Sequence, residues 1–299
     1  MDENKSLAAP YAALLSVQFF FGSLSVIGKV VLAVVPALSL VGFRVGITAL
    51  ALVIIQGFRG RVWLKKSSDY WSLAILSFFG VALNQTLFIT GLSLTKASNA
   101  SLLAVTIPIF AMTVGAAAGL ERLRLPKAIG IAIAAIGVVF LIDPRNASFS
   151  SATTIGDILI VLNSLSFGIY VATSKAIVTR NGAFRSMMWI FVFASLICVP
   201  IGAYSLSTID VSAVSPAIWL LIAYIALGAT ASPYLLNAWA ITRVNPSTVA
   251  VFVYLQPLIG FLLAVAFLGE AVDVKFLIAS ALIFAGVFMV TRKPVVPAI

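Results

Sequence analysis

Apolar runs alternate with short polar gaps from one end of the chain to the other. Bounded by charges and turn residues, the runs predict ten helices, at 10–32, 36–57, 71–91, 97–119, 126–142, 155–176, 185–205, 216–238, 245–268 and 274–291. A helix needs about 20 mostly apolar residues to cross roughly 30 Å of hydrocarbon, where no water satisfies the backbone. The longest gaps, FRGRVWLKKSSD, DPRNASFSSATT and SLSTIDVSAVS, leave no room for a separate soluble domain. The expected fold is an all-α polytopic membrane protein, with its function inside the bundle.

The pattern also repeats. A shift of 149 residues lays VTIPIFAMTVGAAAGLE (105–121) over YLQPLIGFLLAVAFLGE (254–270), so that Pro108 meets Pro257 and Glu121 meets Glu270. The same shift pairs Gly137 with Gly286, and a shift of 146 pairs Gly22 with Gly168 and Lys29 with Lys175. Two repeats are expected, 1–150 and 151–299, each of five spans. Five is odd, so the second copy enters the membrane from the opposite side and the repeats are inverted. Such halves can exchange conformations and open a midplane site to either face.

Composition sharpens the class. The chain has 299 residues, 62% hydrophobic and 9% charged, and a mean hydropathy of +1.15. A net charge of +10 would point to nucleic acid in a soluble protein, but here the lysines and arginines sit in the gaps between spans, so no nucleic-acid partner is expected. One set of gaps holds Lys5, Arg59, Arg61, Lys65, Lys66, Arg122, Arg124, Lys127, Lys175, Arg180, Arg185, Arg243, Arg292 and Lys293, whereas the other holds Lys29, Lys96, Arg145 and Lys275. This bias places both termini in the cytoplasm. The N-terminal run reads as a retained first span. With no histidine and a single cysteine, Cys198, the chain lacks His-ligated haem, HExxH zinc chemistry, Ser-His or Cys-His dyads and an intramolecular disulfide; no cofactor is expected.

The Pro108–Glu121 and Pro257–Glu270 segments, the glycine-containing helix after each, Arg44 in the second span and the paired five-span layout together resemble the drug/metabolite transporter superfamily, in its ten-span branch of two EamA-type repeats. The resemblance covers nearly the whole chain and is nearest to bacterial exporters of aromatic and other amino acids. It implies a central cavity lined mainly by spans one, three, four, six, eight and nine, with five and ten at the periphery. It further implies a small zwitterionic substrate such as an amino acid, and a bacterial inner membrane. Two departures matter. Residues 10–32 carry no acid, unlike the first span of the four-span multidrug branch, and only Arg44 lies deep enough to meet the phosphates of a nucleotide sugar. A nucleotide-sugar or other metabolite transporter is the alternative within the superfamily.

Polar residues on helical stripes supply the cavity candidates: Gln18 in span one, Asn84 and Phe88 in span three, Asn99 and Thr106 in span four, Asn163, Phe167 and Tyr170 in span six, Tyr234 and Asn237 in span eight, and Tyr254 and Gln256 in span nine. Amides and hydroxyls cost energy against lipid, so they face inward, either to contact substrate or to bond a neighbouring helix. Pro108 and Pro257 are the hinge candidates, since a mid-helix proline bends the helix and frees a carbonyl; a static packing kink is the competing role. GAAAG (115–119) and AIGIAIAAIG (128–137) read as small-residue seams for close helix packing. Arg44 must snorkel, pair or face water, and bonds to a neighbouring helix's carbonyls would account for it.

The nine acids all fall near span ends or in gaps, so the usual residues of a proton relay are missing and facilitated export is as plausible as proton antiport. Amides, hydroxyls and rings without a fixed counter-ion suit a zwitterion. An intramembrane enzyme would need a DDxxD run, a GxSxG elbow or a histidine cluster, and a channel an acid ring or a filter-like loop; none is evident. Substrate identity, coupling ion and monomer or homodimer state stay open.

Overall fold

The computed structural model describes residues 8–122, 124–142, 153–259, 262 and 274–291. The described residues form helices and turns without strands. In chain order they are α1 (Ala8–Leu32), α2 (Ala37–Phe58), α3 (Ser68–Leu94), α4 (Ala97–Leu103), α5 (Thr106–Ala117), α6 (Leu125–Ile142), α7 (Thr154–Asn181), α8 (Ala183–Leu206), α9 (Pro216–Ile241), α10 (Pro246–Ile259) and α11 (Val274–Thr291). α1, α2, α3, α7, α8 and α9 are each long and apolar enough to cross a membrane. Large apolar side chains such as Leu50, Leu196, Leu220 and Phe288 point outward, as they would toward lipid.

The helices stand where the apolar runs predict them, with one correction. The fourth span is not one helix over 97–119: it breaks at Ala104 and Val105, between α4 and α5. The cause lies in Pro108. Without an N–H it cannot bond the Ala104 carbonyl four residues back, and that carbonyl accepts instead from the Ile107 N–H at 3.0 Å, tightening the turn. The second copy repeats the irregularity. A 3₁₀ turn over Phe252–Tyr254 interrupts α10 just before Pro257, at the same 149-residue offset as 103–105. Across the molecule, Tyr254 Oη donates to the Val105 carbonyl at 2.9 Å, joining the two matched positions. Gly269 and Glu270 lie outside the described residues.

A second pair of irregularities was not foreseen. α3 widens into a π turn at Phe78–Ala82 and α9 into one at Leu227–Ala231, again 149 residues apart. A π turn displaces backbone carbonyls from their regular partners, and in hydrocarbon each must be satisfied from within the protein. Hydroxyls do so here. Ser166 Oγ donates to the Phe79 carbonyl at 2.6 Å and Tyr234 Oη to that of Gly80 at 2.7 Å. In α9, Thr48 Oγ1 reaches the Ala226 carbonyl at 2.8 Å, Thr230 Oγ1 that of Ile225 at 2.7 Å and Ser232 Oγ that of Leu227 at 2.9 Å.

Packing follows the repeat. α2 lies on α8, α6 lies on α11, and α3 on α7 is matched by α9 on α1. Glycine makes both self-paired seams possible. A Cβ on Gly42 would stand 2.9 Å from the Cα of Gly202, and one on Gly286 would stand 2.4 Å from the Gly130 carbonyl oxygen. Gly137 in turn packs against the Ala279 carbonyl. Such small-residue contacts replace the hydrophobic drive that lipid cannot provide.

Polar groups fasten the helix ends in matched fashion. Lys29 Nζ donates to the Thr95 carbonyl at 2.7 Å, and Lys175 Nζ to the Val244 carbonyl at 2.8 Å; Thr95 and Val244 are 149 residues apart. Beside the first latch, Asp157 accepts from Thr95 Oγ1 at 2.6 Å and from Asn99 Nδ2 at 3.1 Å. Beside the second, Glu121 pairs with Lys127 and accepts from Ser247 Oγ at 2.6 Å and from its N–H at 3.2 Å. Asp69, at the start of α3, pairs with Arg180 and accepts from Asn181 Nδ2 at 2.8 Å.

Burial pushes the Glu121 carboxyl up, but the hydrogen bonds from Lys127 and Ser247 and the Lys127 charge outweigh it and hold the group below the usual carboxylate range. A depressed folded-state value contributes stability that is complete above the unfolded value of about 4.3 and is lost as pH falls through the folded one. Glu121→Gln is therefore expected to cost about 1 kcal/mol at pH 7, or roughly 2–4 °C in the thermal midpoint. The gap should close as the pH is taken below about 4. Thermal denaturation in detergent across that range checks it, and a gap independent of pH would reject the assignment.

Candidate functional site

A cavity lies among the helices; the space unfilled by atoms within its outline, open solvent included, is about 710 Å³. Its walls come from both halves: Phe21 and Leu24 on α1, Arg44 on α2, Asn84, Gln85 and Phe88 on α3, and Ala100 on α4. Ala104 at the break, Ile107 on α5, Ile160, Asn163 and Phe167 on α7, Tyr234 on α9, and Val253 and Gln256 on α10 complete it. The cavity runs from the π turns toward the end of the bundle where α3 finishes and α4 begins. Tyr170, Ser174, Val178, Val249 and Val251 lie outside this lining and are buried.

The irregular turns position the polar wall. Asn84 and Asn163 bond each other's backbone, Asn163 Nδ2 to the Asn84 carbonyl at 2.8 Å and Asn84 Nδ2 to that of Asn163 at 3.4 Å, which fixes α3 against α7. Tyr234 Oη sits between Gln85 Nε2 at 3.1 Å and Asn84 Oδ1 at 3.1 Å. Gln85 and Tyr234 are repeat-equivalent, 149 residues apart, so the two copies meet there. The Gln256 side chain makes no hydrogen bond among the described residues and is available to a ligand. Phe167 and Tyr234 meet edge to face at 6.5 Å, and Phe21 meets Tyr234 at 6.2 Å, giving the cavity an aromatic flank. Among the described residues no carboxylate lines it and Arg44 is its one cation.

Of the residues chosen from helical stripes, Asn84, Phe88, Asn163, Phe167, Tyr234 and Gln256 line this cavity. The others have different neighbours. Gln18 and Asn237 are buried away from it, each with its side-chain oxygen unpartnered. Asn99 binds Asp157, and Thr106 Oγ1 donates across the break between α4 and α5 to the Leu103 carbonyl. The Tyr170 ring covers Gly80, where a Cβ would come within 2.4 Å of it, and its hydroxyl faces Met187 Sδ at 3.7 Å. Tyr254 bonds Val105 and borders a smaller gap with Gln256 and Pro257.

Gln85, Phe21 and the apolar wall escaped the sequence reading, although the 149-residue offset that pairs Gln85 with Tyr234 was a signal for the first. Arg44 bonds a hydroxyl, Thr230, rather than the carbonyls expected of it, and α2 joins the lining spans inferred from the resemblance. α6 and α11 stay outside the lining, as that resemblance implies. A group of three or more Cys, Asp or Glu residues fit for a metal ion does not occur among the described residues.

Membrane helices packed around a cavity of rings and amides fit a solute-carrying membrane protein. The sequence pattern of the EamA-like transporter family matches residues 9–143 and again 154–292, and the chain belongs to that family. It is 26% identical over 244 residues to an uncharacterized transporter of Archaeoglobus fulgidus, covering 81% of this chain and 83% of that one. It is 22% identical over 296 residues to the uncharacterized transporter YetK of Bacillus subtilis, covering 97% and 88%. It is also 24% identical over 254 residues, 84% and 82% of the two chains, to a probable terminal-alkyne amino-acid exporter of Streptantibioticus cattleyicolor. A solved crystal structure shares the fold with a TM-score of 0.75 at 19% identity, over 96% of this chain and 98% of its own.

Proposed function

We propose that this transporter exports amino acids, apolar and aromatic ones among them, from the bacterial cytoplasm by alternating access of the central cavity. The observation that carries the reading is the composition of the cavity wall among the described residues: aromatic and aliphatic surface, four amide side chains, one tyrosine hydroxyl and a single cation, with no carboxylate. Apolar walls suit the side chain of such a substrate and amide oxygens its ammonium group. The likeness to a probable amino-acid exporter supports the substrate class. A nucleotide sugar carries two phosphate charges, for which one arginine is a poor match.

Two inverted repeats, 1–150 and 151–299, supply the motion in this reading. The Lys29–Thr95 and Lys175–Val244 latches stand at repeat-related places and release in turn, while the breaks before Pro108 and Pro257 absorb the bending. With both termini cytoplasmic, as the lysines and arginines favour, the present cavity lies toward the outside. The absence of a carboxylate from the wall among the described residues fits transport without obligatory proton exchange.

Protein in liposomes, given a panel of labelled amino acids and nucleotide sugars with and without a pH gradient, tests this. Movement of apolar and aromatic amino acids in the absence of the gradient is expected. Movement of nucleotide sugars and of no amino acid would overturn the substrate assignment.

A further inference from the structure

Arg44 is the largest fully buried side chain among the described residues, 1% exposed, and it lines the cavity. At the centre of a membrane helix an arginine is costly, and more so when left unpaired. Its surroundings are built to hold it. Nε donates to Thr230 Oγ1 at 3.0 Å, and the Thr230 proton is already committed to the Ile225 carbonyl, so the hydroxyl oxygen is turned to accept. Thr48, one turn along α2, fastens the same π turn of α9 through the Ala226 carbonyl. The guanidinium is thus pinned on one side. On the other, Nη1 is buried and has no partner.

Buried donors in folded proteins are satisfied with few exceptions, and an arginine serving only to join helices would have its fork filled. No acidic side chain among the described residues reaches the cavity to fill it. A planar guanidinium with an open donor, in a site of low dielectric, matches the two oxygens of a carboxylate. We infer that Arg44 receives the carboxylate of the transported substrate, with the substrate's apolar part lying along Phe21, Phe88 and Phe167. This assignment rests on the cavity being the transport site, and it deepens the proposed function by making a free carboxylate the required feature of the substrate. The amides of Gln85 and Gln256 serve the remaining polar end.

Competition against labelled phenylalanine in liposomes tests it on the unaltered protein. Phenylalanine and phenylpropionate, which keep the carboxylate, are expected to compete. Phenylalaninamide and phenylethylamine, which lack it, are expected to be at least tenfold weaker. Arg44→Gln should raise the KM for phenylalanine at least tenfold and erase the preference over phenylalaninamide, and Arg44→Lys should restore part of both. Phenylalaninamide competing as well as phenylalanine with the unaltered protein would overturn the assignment, whether or not the variants fold. So would a folded Arg44→Gln protein with unchanged KM and unchanged preference. If no amino acid moves but labelled phenylpropionate does, and phenylethylamine fails to compete with it, the amino-acid reading falls and the Arg44 assignment stands.

Discussion

Gly286→Leu is expected to remove almost all folded protein from the membrane, whereas Gly57→Leu should accumulate like the parent. At Gly286 even a single added carbon would meet the Gly130 carbonyl at 2.4 Å and the Ala134 nitrogen at 2.6 Å, both backbone atoms with no freedom to turn aside. The α6–α11 seam must then separate along its length. Overpacking a well-packed interior typically costs about 1–3 kcal/mol, and a contact against rigid backbone falls at or above the top of that range. Lipid offers no hydrophobic gain for bringing the helices back together, so the loss is not recovered elsewhere. Gly57 has nothing within 4 Å of the same added atom, which makes it a control for general effects of leucine. Fluorescence-detected size-exclusion chromatography of solubilised membranes distinguishes the two; a monodisperse Gly286→Leu peak of normal height would show that the seam tolerates separation.

Filling the cavity should have an equally large effect on transport while leaving the fold intact. Ala104 sits at the break between α4 and α5 and presents its methyl group to the central space. Ala104→Trp puts an indole where the substrate's apolar part belongs. Transport of every amino acid is expected to fall to background, with a normal chromatographic profile and a thermal midpoint near the parent's. Unimpaired transport by a folded Ala104→Trp protein would move the path out of this cavity.

Much of the fold was legible in the sequence because lipid leaves the backbone few choices. An apolar run of span length has to be helix, and all ten runs hold helical segments among the described residues, including the two whose interruptions were misjudged. Pro108 and Pro257 marked those interruptions but not their position. The break falls at the carbonyl four residues before the proline, Ala104 in the first copy, and that rule of helix geometry was available from the start. The π turns left no such mark. Their carbonyls are satisfied in part by hydroxyls from other helices, Ser166 and Tyr234 reaching α3 and Thr48 reaching α9, and only the tertiary arrangement brings those together.

The site was legible in part, for a related reason. A helical stripe of polar residues says which face turns inward; it does not say whether that face meets space or another helix. Asn84, Asn163 and Gln256 meet the cavity, while Asn99 and Thr106, with the same credentials in sequence, spend their donors on Asp157 and on the Leu103 carbonyl. Tyr170 lost its place to Gly80, whose missing side chain lets the ring pack flat against α3. Gln85 was passed over beside Asn84, yet the cavity is broad enough for neighbouring faces of α3 to share it.

Counterflow is the most direct test of an amino-acid carrier that alternates between two faces. Liposomes loaded with millimolar unlabelled phenylalanine are diluted into a trace of labelled phenylalanine, and internal label is followed in time. The expected result is a transient accumulation above equilibrium, abolished by Ala104→Trp. Label that only rises smoothly to equilibrium, or that never enters, would contradict an alternating amino-acid carrier.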